Sequence, residues 1–166
     1  MNEPTAEAHW VFDLDGTLVD GLAASRLRPG AAELLRRLAA DGMRLSLWSA
    51  GGAAYALRVA TRLGVDALFS AVGEKVAGDD GRWVLPVGWQ VAGGVVCVDD
   101  EPGRLPLDVA ALPVRPWLGG AHDNVLVHLD VSRPAPRRLG MQLASSELGH
   151  GVSHPPGGAP ETDAQP

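Results

Sequence analysis

His9-Trp10-Val11-Phe12-Asp13-Leu14-Asp15-Gly16-Thr17-Leu18 runs from an unbroken apolar stretch into two acids and a turn. Apolar residues without polar alternation, closed by a turn signal, read as a strand buried on both faces, the kind found at the centre of a parallel sheet. The Asp15-Gly16-Thr17 turn leaves Asp13 and Asp15 at the strand's carboxyl end, with His9 expected as a strand-edge residue. Acids recurring from Asp13 to Asp20 also invite comparison with a calcium loop. Gly16 stands at the wrong position for one, no glutamate closes it, and an apolar strand precedes it.

Outward from this strand, Pro29-Gly30 opens a helical stretch whose Leu34, Leu35 and Leu38 share a face, and Gly42 supplies a left-handed stop. A second strand spans Leu45 to Ser49. Its end, Ser49-Ala50-Gly51-Gly52, leads into a second helical pattern carrying Tyr55, Val59 and Leu63 and stopped by Gly64. Asp79-Asp80-Gly81, between short apolar pieces, suggests a hairpin or an exposed loop. Val95-Val96-Cys97-Val98 is a third apolar run, β-branched and closed by Asp99-Asp100. Alternating strands and helices imply an α/β domain with a doubly wound parallel sheet, helices on both faces and right-handed crossovers. Asp123 to Val131 reads either as a short helix capped by Asp123 or as an alternating edge strand. Residues 1–131 are thus expected to form one domain and 132–166 a flexible Pro/Gly-rich tail, whose composition buries too little surface to offset ordering entropy.

A chain of 166 residues, 46% hydrophobic and 20% charged, has the profile of one ordinary globular domain. Its formal net charge of −6 excludes a basic nucleic-acid-binding domain, although local patches are compatible with it. No apolar run approaches the roughly 18 to 20 residues of a membrane span. Met1-Asn2-Glu3-Pro4 lacks the start of a secretory signal, which gives cytoplasmic residence as the expectation. The single Cys97 rules out an internal disulfide and a cysteine zinc site, and should be buried and inert. Lys75 is the only lysine.

Asp13 and Asp15, Ser49, and Asp99 with Asp100 fall at strand ends, with Lys75 beyond the second helix. In an open parallel sheet, ligands sit beyond the carboxyl ends of the strands. Carboxylates brought together there are costly unless a cation neutralises them, and a hard ion such as Mg²⁺ suits oxygen ligands and a phosphate. With no cysteine or histidine at these positions, zinc is disfavoured. Ser49 alone would be a plain helix cap and Lys75 alone a solvated surface lysine; their order and place favour a shared site. The five tryptophans read as packing rather than a base-stacking platform, with Trp83 or Trp89 candidates to border the site. His122, His128, His150 and His154 show no ligand spacing.

Asp13-Leu14-Asp15-Gly16-Thr17-Leu18 after an apolar strand resembles the first motif of the haloacid dehalogenase (HAD) superfamily, and Ser49, Lys75 and Asp99-Asp100 follow in that family's order. The resemblance spans roughly residues 9–131. It implies Asp13 as a nucleophile forming an aspartyl-phosphate, Asp15 as general acid and then base, and Lys75 as the charge-neutralising catalytic lysine. Ser49, Ala50 and Gly51 would hold phosphate oxygens. Mg²⁺ would be bound by Asp13, the Asp15 backbone carbonyl and Asp99, with Asp100 binding directly or through water. Asp15 matters most, because dehalogenase-type members lack this acid.

Neither interval that usually receives a cap domain has room for one, so no large cap and an open site are expected. Leu27-Arg28-Pro29-Gly30, Leu45 to Gly52, Val98 to Pro102, and Pro116-Trp117-Leu118-Gly119 with Asp123 resemble the small capless phosphatases related to those acting on RNA polymerase II tails. Gly16 and Glu101 depart from that branch, which usually has glutamate and serine there. The reading is a Mg²⁺-dependent phosphatase acting on a phosphorylated substrate, macromolecular or small. Nucleic acid enters only as a possible substrate, no membrane is involved, and an oligomer or the Asp79 loop would serve a small substrate as lid. The rivals are a phosphotransferase, which usually needs a cap to exclude water, and a catalytically silent binding module.

Overall fold

The computed structural model describes residues 8–131, so the tail expected from residue 132 onward lies outside the described residues. Five strands form one sheet in the order β3-β2-β1-β6-β7, every neighbouring pair parallel. They are β1 (His9–Asp13), β2 (Arg44–Ser49), β3 (Ala71–Glu74), β6 (Val95–Asp99) and β7 (Ala110–Pro113). The three apolar runs of the sequence are the three central strands, and β1 is the middle one. Helix α1 (Ala31–Ala40) joins β1 to β2, and α2 (Ala53–Arg62) joins β2 to β3.

The alternation of side chains along each strand assigns the two faces. Trp10, Phe12, Leu45, Leu47, Val96 and Val98 pack with Leu34, Leu35 and Leu38 of α1 and Ala56, Val59 and Ala60 of α2. Both helices therefore cover one face. The chain first winds from β1 through β2 to β3, then returns to β6 and β7 on the other side of β1, so right-handed crossovers put the later connections on the opposite face.

That opposite face is covered, but by a hairpin, a loop and a short 3₁₀ turn where helices were expected. Strands β4 (Val76–Ala77) and β5 (Trp83–Val84) pair antiparallel around Asp79-Asp80-Gly81, so the hairpin alternative holds. Trp83, Trp89 and Leu105 pack on Val11, Trp48, Val95 and Cys97. The physical reason lies in the connecting sequence: Gly78, Gly81, Pro86, Gly88, Gly93 and Gly94 deny it a helix, and two indoles supply the apolar cover instead. His9 is not at an edge: it is wholly buried, bonded to the Trp89 carbonyl at 2.7 Å and to Ser46 Oγ at 2.8 Å, and burial lowers its pKa. It ties the covering loop to the sheet.

Residues 123–131 form neither the helix nor the edge strand. A single turn, with the His128 N–H bonded to the Asn124 carbonyl at 3.2 Å, is not continued. Asp123 does accept the Val125 N–H at 3.2 Å as a cap would, but its carboxylate chiefly pairs with the buried Arg28, at 2.7 Å to Nε and 2.9 Å to Nη2. Leu126 is buried beside α1, with Val125, Leu129 and Val131 against the same core.

Candidate active site

The sheet's winding reverses between β1 and β6, and a crevice at the carboxyl ends of strands is expected at such a switch point. Asp13 ends β1 and Asp99 ends β6, so the two acids stand side by side there. Asp100 follows directly. Oxygens from Asp13, Asp99 and Asp100 lie within 4.8 Å of one another.

Lys75 reaches this point from the far side of β2. It is the one residue between β3 and β4, at the joint where the parallel sheet gives way to the hairpin. Its backbone N–H is fixed to the Ser49 carbonyl at 3.0 Å, and its Nζ passes 5.8 Å from the rings of both Trp48 and Trp83. The ammonium donates to Asp13 Oδ1 at 2.6 Å and Asp99 Oδ2 at 2.8 Å. Burial opposes its charge, but the two carboxylates outweigh that and raise its pKa. It is an ammonium at any ordinary pH.

The carboxylates are not equally provided for. Asp99 Oδ1 also accepts the Glu101 N–H at 2.8 Å, whereas Asp13 Oδ2 is buried with no hydrogen bond. Burial, with Asp99 adding to it and Lys75 opposing, pushes the Asp13 pKa up to about 7. Asp100, raised first by burial and then by Asp99, takes a long 3.4 Å contact from Thr17 Oγ1. A buried orphan oxygen beside two more carboxylates is the chemistry of a hard-cation site, so the residues present fit Mg²⁺. The closeness of Asp100 also explains Gly16, which has φ +80°; a Cβ there would come within 2.6 Å of Asp100 Oδ2. A glutamate at this position would strain the backbone and require the Asp100 carboxylate to shift.

Asp15 stands apart from the carboxylate cluster. Its Oδ1 accepts the Tyr55 hydroxyl at 2.7 Å. Asp15 and Tyr55 line an open groove of about 420 Å³ with Gly21, Leu22, Ala23, Ala24 and Gly51. Asp20 fixes the far wall by accepting the N–H groups of Ala23, Ser25 and Arg26 at 2.7, 2.6 and 3.1 Å, which hold its carboxyl below the usual range. Ser49 is buried and uses its hydroxyl to accept the Gly51 N–H at 3.1 Å, closing the turn from which α2 starts. Ala50 and Gly51 are exposed on that turn.

The family described as NLI interacting factor-like phosphatase matches residues 8–132, three quarters of the chain. The chain belongs to that family. These phosphatases fall within the HAD superfamily, as the first motif suggested, and the described residues of this member form the α/β fold without a large cap. No curated protein gives a significant match. Solved structures similar to this family member include an uncharacterized protein from Listeria monocytogenes serotype 4b, 17% identical over 63% of this chain and 76% of that one, with a TM-score of 0.48. Another is a chain in a Pnkp1/Rnl/Hen1 RNA repair complex, 16% identical over 70% of this chain and 45% of that one, with a TM-score of 0.46.

Of the residues singled out from sequence, Asp13, Lys75, Asp99 and Asp100 meet in one cluster; Asp15 and the Ser49-Ala50-Gly51 turn border the adjoining groove. Trp83 lies beside Lys75, while Trp89 packs behind Trp48 with ring centres 6.3 Å apart. Sequence reading saw Tyr55 only as part of a helix face and missed its bond to Asp15. The available signal was that it is the only tyrosine in the chain, one turn beyond a candidate phosphate loop. No helix among the described residues is long and apolar enough to cross a membrane.

Proposed function

We propose that this family member is a Mg²⁺-dependent phosphate monoester hydrolase that works through an aspartyl-phosphate on Asp13. The observation that carries this is the asymmetry at Asp13: one oxygen is held by the only lysine, and the other is buried and unpaired at the sheet's switch point. A buried carboxylate oxygen without a partner calls for one, and a bound cation or a reacting phosphorus would supply it.

In the proposed reaction, Asp13 attacks phosphorus, and one difficult displacement becomes two easier ones. Lys75 neutralises charge on the nucleophile and on the phosphoryl group in transit. Asp15 protonates the leaving oxygen and, in the second step, takes a proton from the attacking water. On substrate binding the Gly51 N–H would exchange the Ser49 hydroxyl for a phosphate oxygen and, with the other N–H groups of the Ser49-Ala50-Gly51 turn, orient the phosphate, a task that needs no further basic side chain. The Asp13, Asp99 and Asp100 carboxylates with the Asp15 carbonyl would hold Mg²⁺, which when bound supplies positive charge against the phosphate oxygens. Among the described residues no cap roofs the site, which suits a phosphate carried on a macromolecule encountered in the cytoplasm; the hairpin would be the lid for a small one.

Hydrolysis of p-nitrophenyl phosphate with and without Mg²⁺ tests the reading. Mg²⁺-dependent turnover is expected, and Asp13→Asn is expected to lower it at least about 10³-fold, since an amide cannot act as the nucleophile. Folded, Mg²⁺-loaded protein without turnover on any phosphate monoester would overturn it.

A further inference from the structure

We propose that Tyr55 is the positioning residue for proton transfer: its hydroxyl holds one oxygen of Asp15 so that the other faces the leaving group of a substrate in the adjoining groove. This rests on the phosphatase reading above and deepens it.

Asp15 is a short side chain on a tight turn, and nothing in that turn fixes its carboxylate. The 2.7 Å bond from Tyr55 does, and it engages Oδ1 alone. A group that must give a proton to one atom and later take one from another depends on its aim, because proton transfer occurs only within hydrogen-bond reach. In the first step the proton on Oδ2 passes to the bridging oxygen as the P–O bond breaks and the phosphoryl group passes to Asp13. In the second, Oδ2 takes a proton from water as the water oxygen attacks phosphorus, the P–O bond to Asp13 breaks, and inorganic phosphate leaves with the Asp13 carboxylate restored. Tyr55 keeps its own proton throughout, donating it to Oδ1 in both steps.

The sequence around Tyr55 is arranged to allow this contact. The ring lies over Gly51, where an added Cβ would come within 2.6 Å of Cδ1 and 3.0 Å of Cε1. Gly51 is not among the glycines held at positive φ, so the absent side chain serves the ring's approach rather than the backbone. Tyr55 thus bridges two loops from different strands, the acid turn after β1 and the turn after β2. It joins the proton-transfer group to the phosphate-orienting N–H groups through one rigid ring.

A purely structural role would lower turnover on all substrates alike. The test therefore compares Tyr55→Phe with wild type across aryl and alkyl phosphates of increasing leaving-group basicity, with Mg²⁺ saturating. For p-nitrophenyl phosphate, whose leaving phenolate is stable without a proton, kcat is expected to fall by less than about threefold. For a primary alkyl phosphate, which requires the proton, a loss on the order of tenfold or more is expected. In an Asp15→Asn background the same change is expected to cost nothing further, because Tyr55 then has no carboxylate to aim. A deficit equal for all leaving groups, or one that adds fully to Asp15→Asn, overturns the role of Tyr55 while leaving the phosphatase intact. Wild type inactive on every ester overturns both, and the two failures are told apart by which protein fails.

Discussion

At Asp13 two demands conflict. The proposed nucleophile must be ionised to attack, yet burial beside Asp99 favours the neutral acid, and Lys75, with a lesser part from Thr17, opposes it. Removing that ammonium leaves two carboxylates buried against each other. Lys75→Met is therefore expected to destabilise the metal-free protein by about 3 kcal/mol near neutral pH, read from urea unfolding, and to lower kcat on the order of a hundredfold. The stability deficit should shrink in acid, where the carboxyls are protonated. Which acids cluster was legible in the sequence, because residues that end neighbouring parallel strands must meet. The orphan oxygen on Asp13 and the partner of Asp15 were not, since rotamers and cross-loop contacts leave no trace in spacing.

Among the elements, β1 and β6 announced themselves as apolar runs, β2 as one broken only by Ser46, and both helices as apolar stripes between glycine stops. Strands β3 and β7 did not: Ala71-Val72-Gly73-Glu74 and Ala110-Ala111-Leu112-Pro113 are half-exposed edges, short and mixed in character, and edge strands are held by their neighbours more than by their own pattern. Residues 123–131 misled for a related reason. The alternation does not map onto burial, since Leu126 is fully buried while Val127 is exposed, and the segment's place is set by Asp123 on Arg28 rather than by any ladder. Arg28 is wholly buried and also reaches the Gly16 and Thr17 carbonyls at 3.3 Å. Asp123→Asn should accordingly cost about 2 kcal/mol at pH 7 in urea unfolding. Arg28 holds the Asp123 carboxyl below its usual pKa. The stability this gives is present above the unfolded value of about 3.9 and lost as pH falls through the folded one, so variant and wild type should converge in acid.

The whole molecule is a folded sheet with a charge conflict at its switch point, and the cation that fits there should govern its stability. A raised Asp13 pKa means that between about 4 and about 7 the metal-free native chain binds a proton that the unfolded chain has released. Through that window this group makes the protein less stable as pH rises. Mg²⁺ requires the ionised form and displaces the proton, so the rise in Tm that it produces should grow from pH 5 to about 7, reverse with chelator, and fall away in Asp99→Asn. A Tm indifferent to Mg²⁺ at every pH would deny the cation its place in the fold. One last feature reaches beyond stability. Because Lys75 is the only lysine and lies buried between two carboxylates as an ammonium, the described fold keeps the chain's one side-chain amine out of reach of acylating and carbonyl reagents. Chemistry directed at amines thus has a single side-chain address in this protein, and that address opens only when the carboxylate cluster itself comes apart.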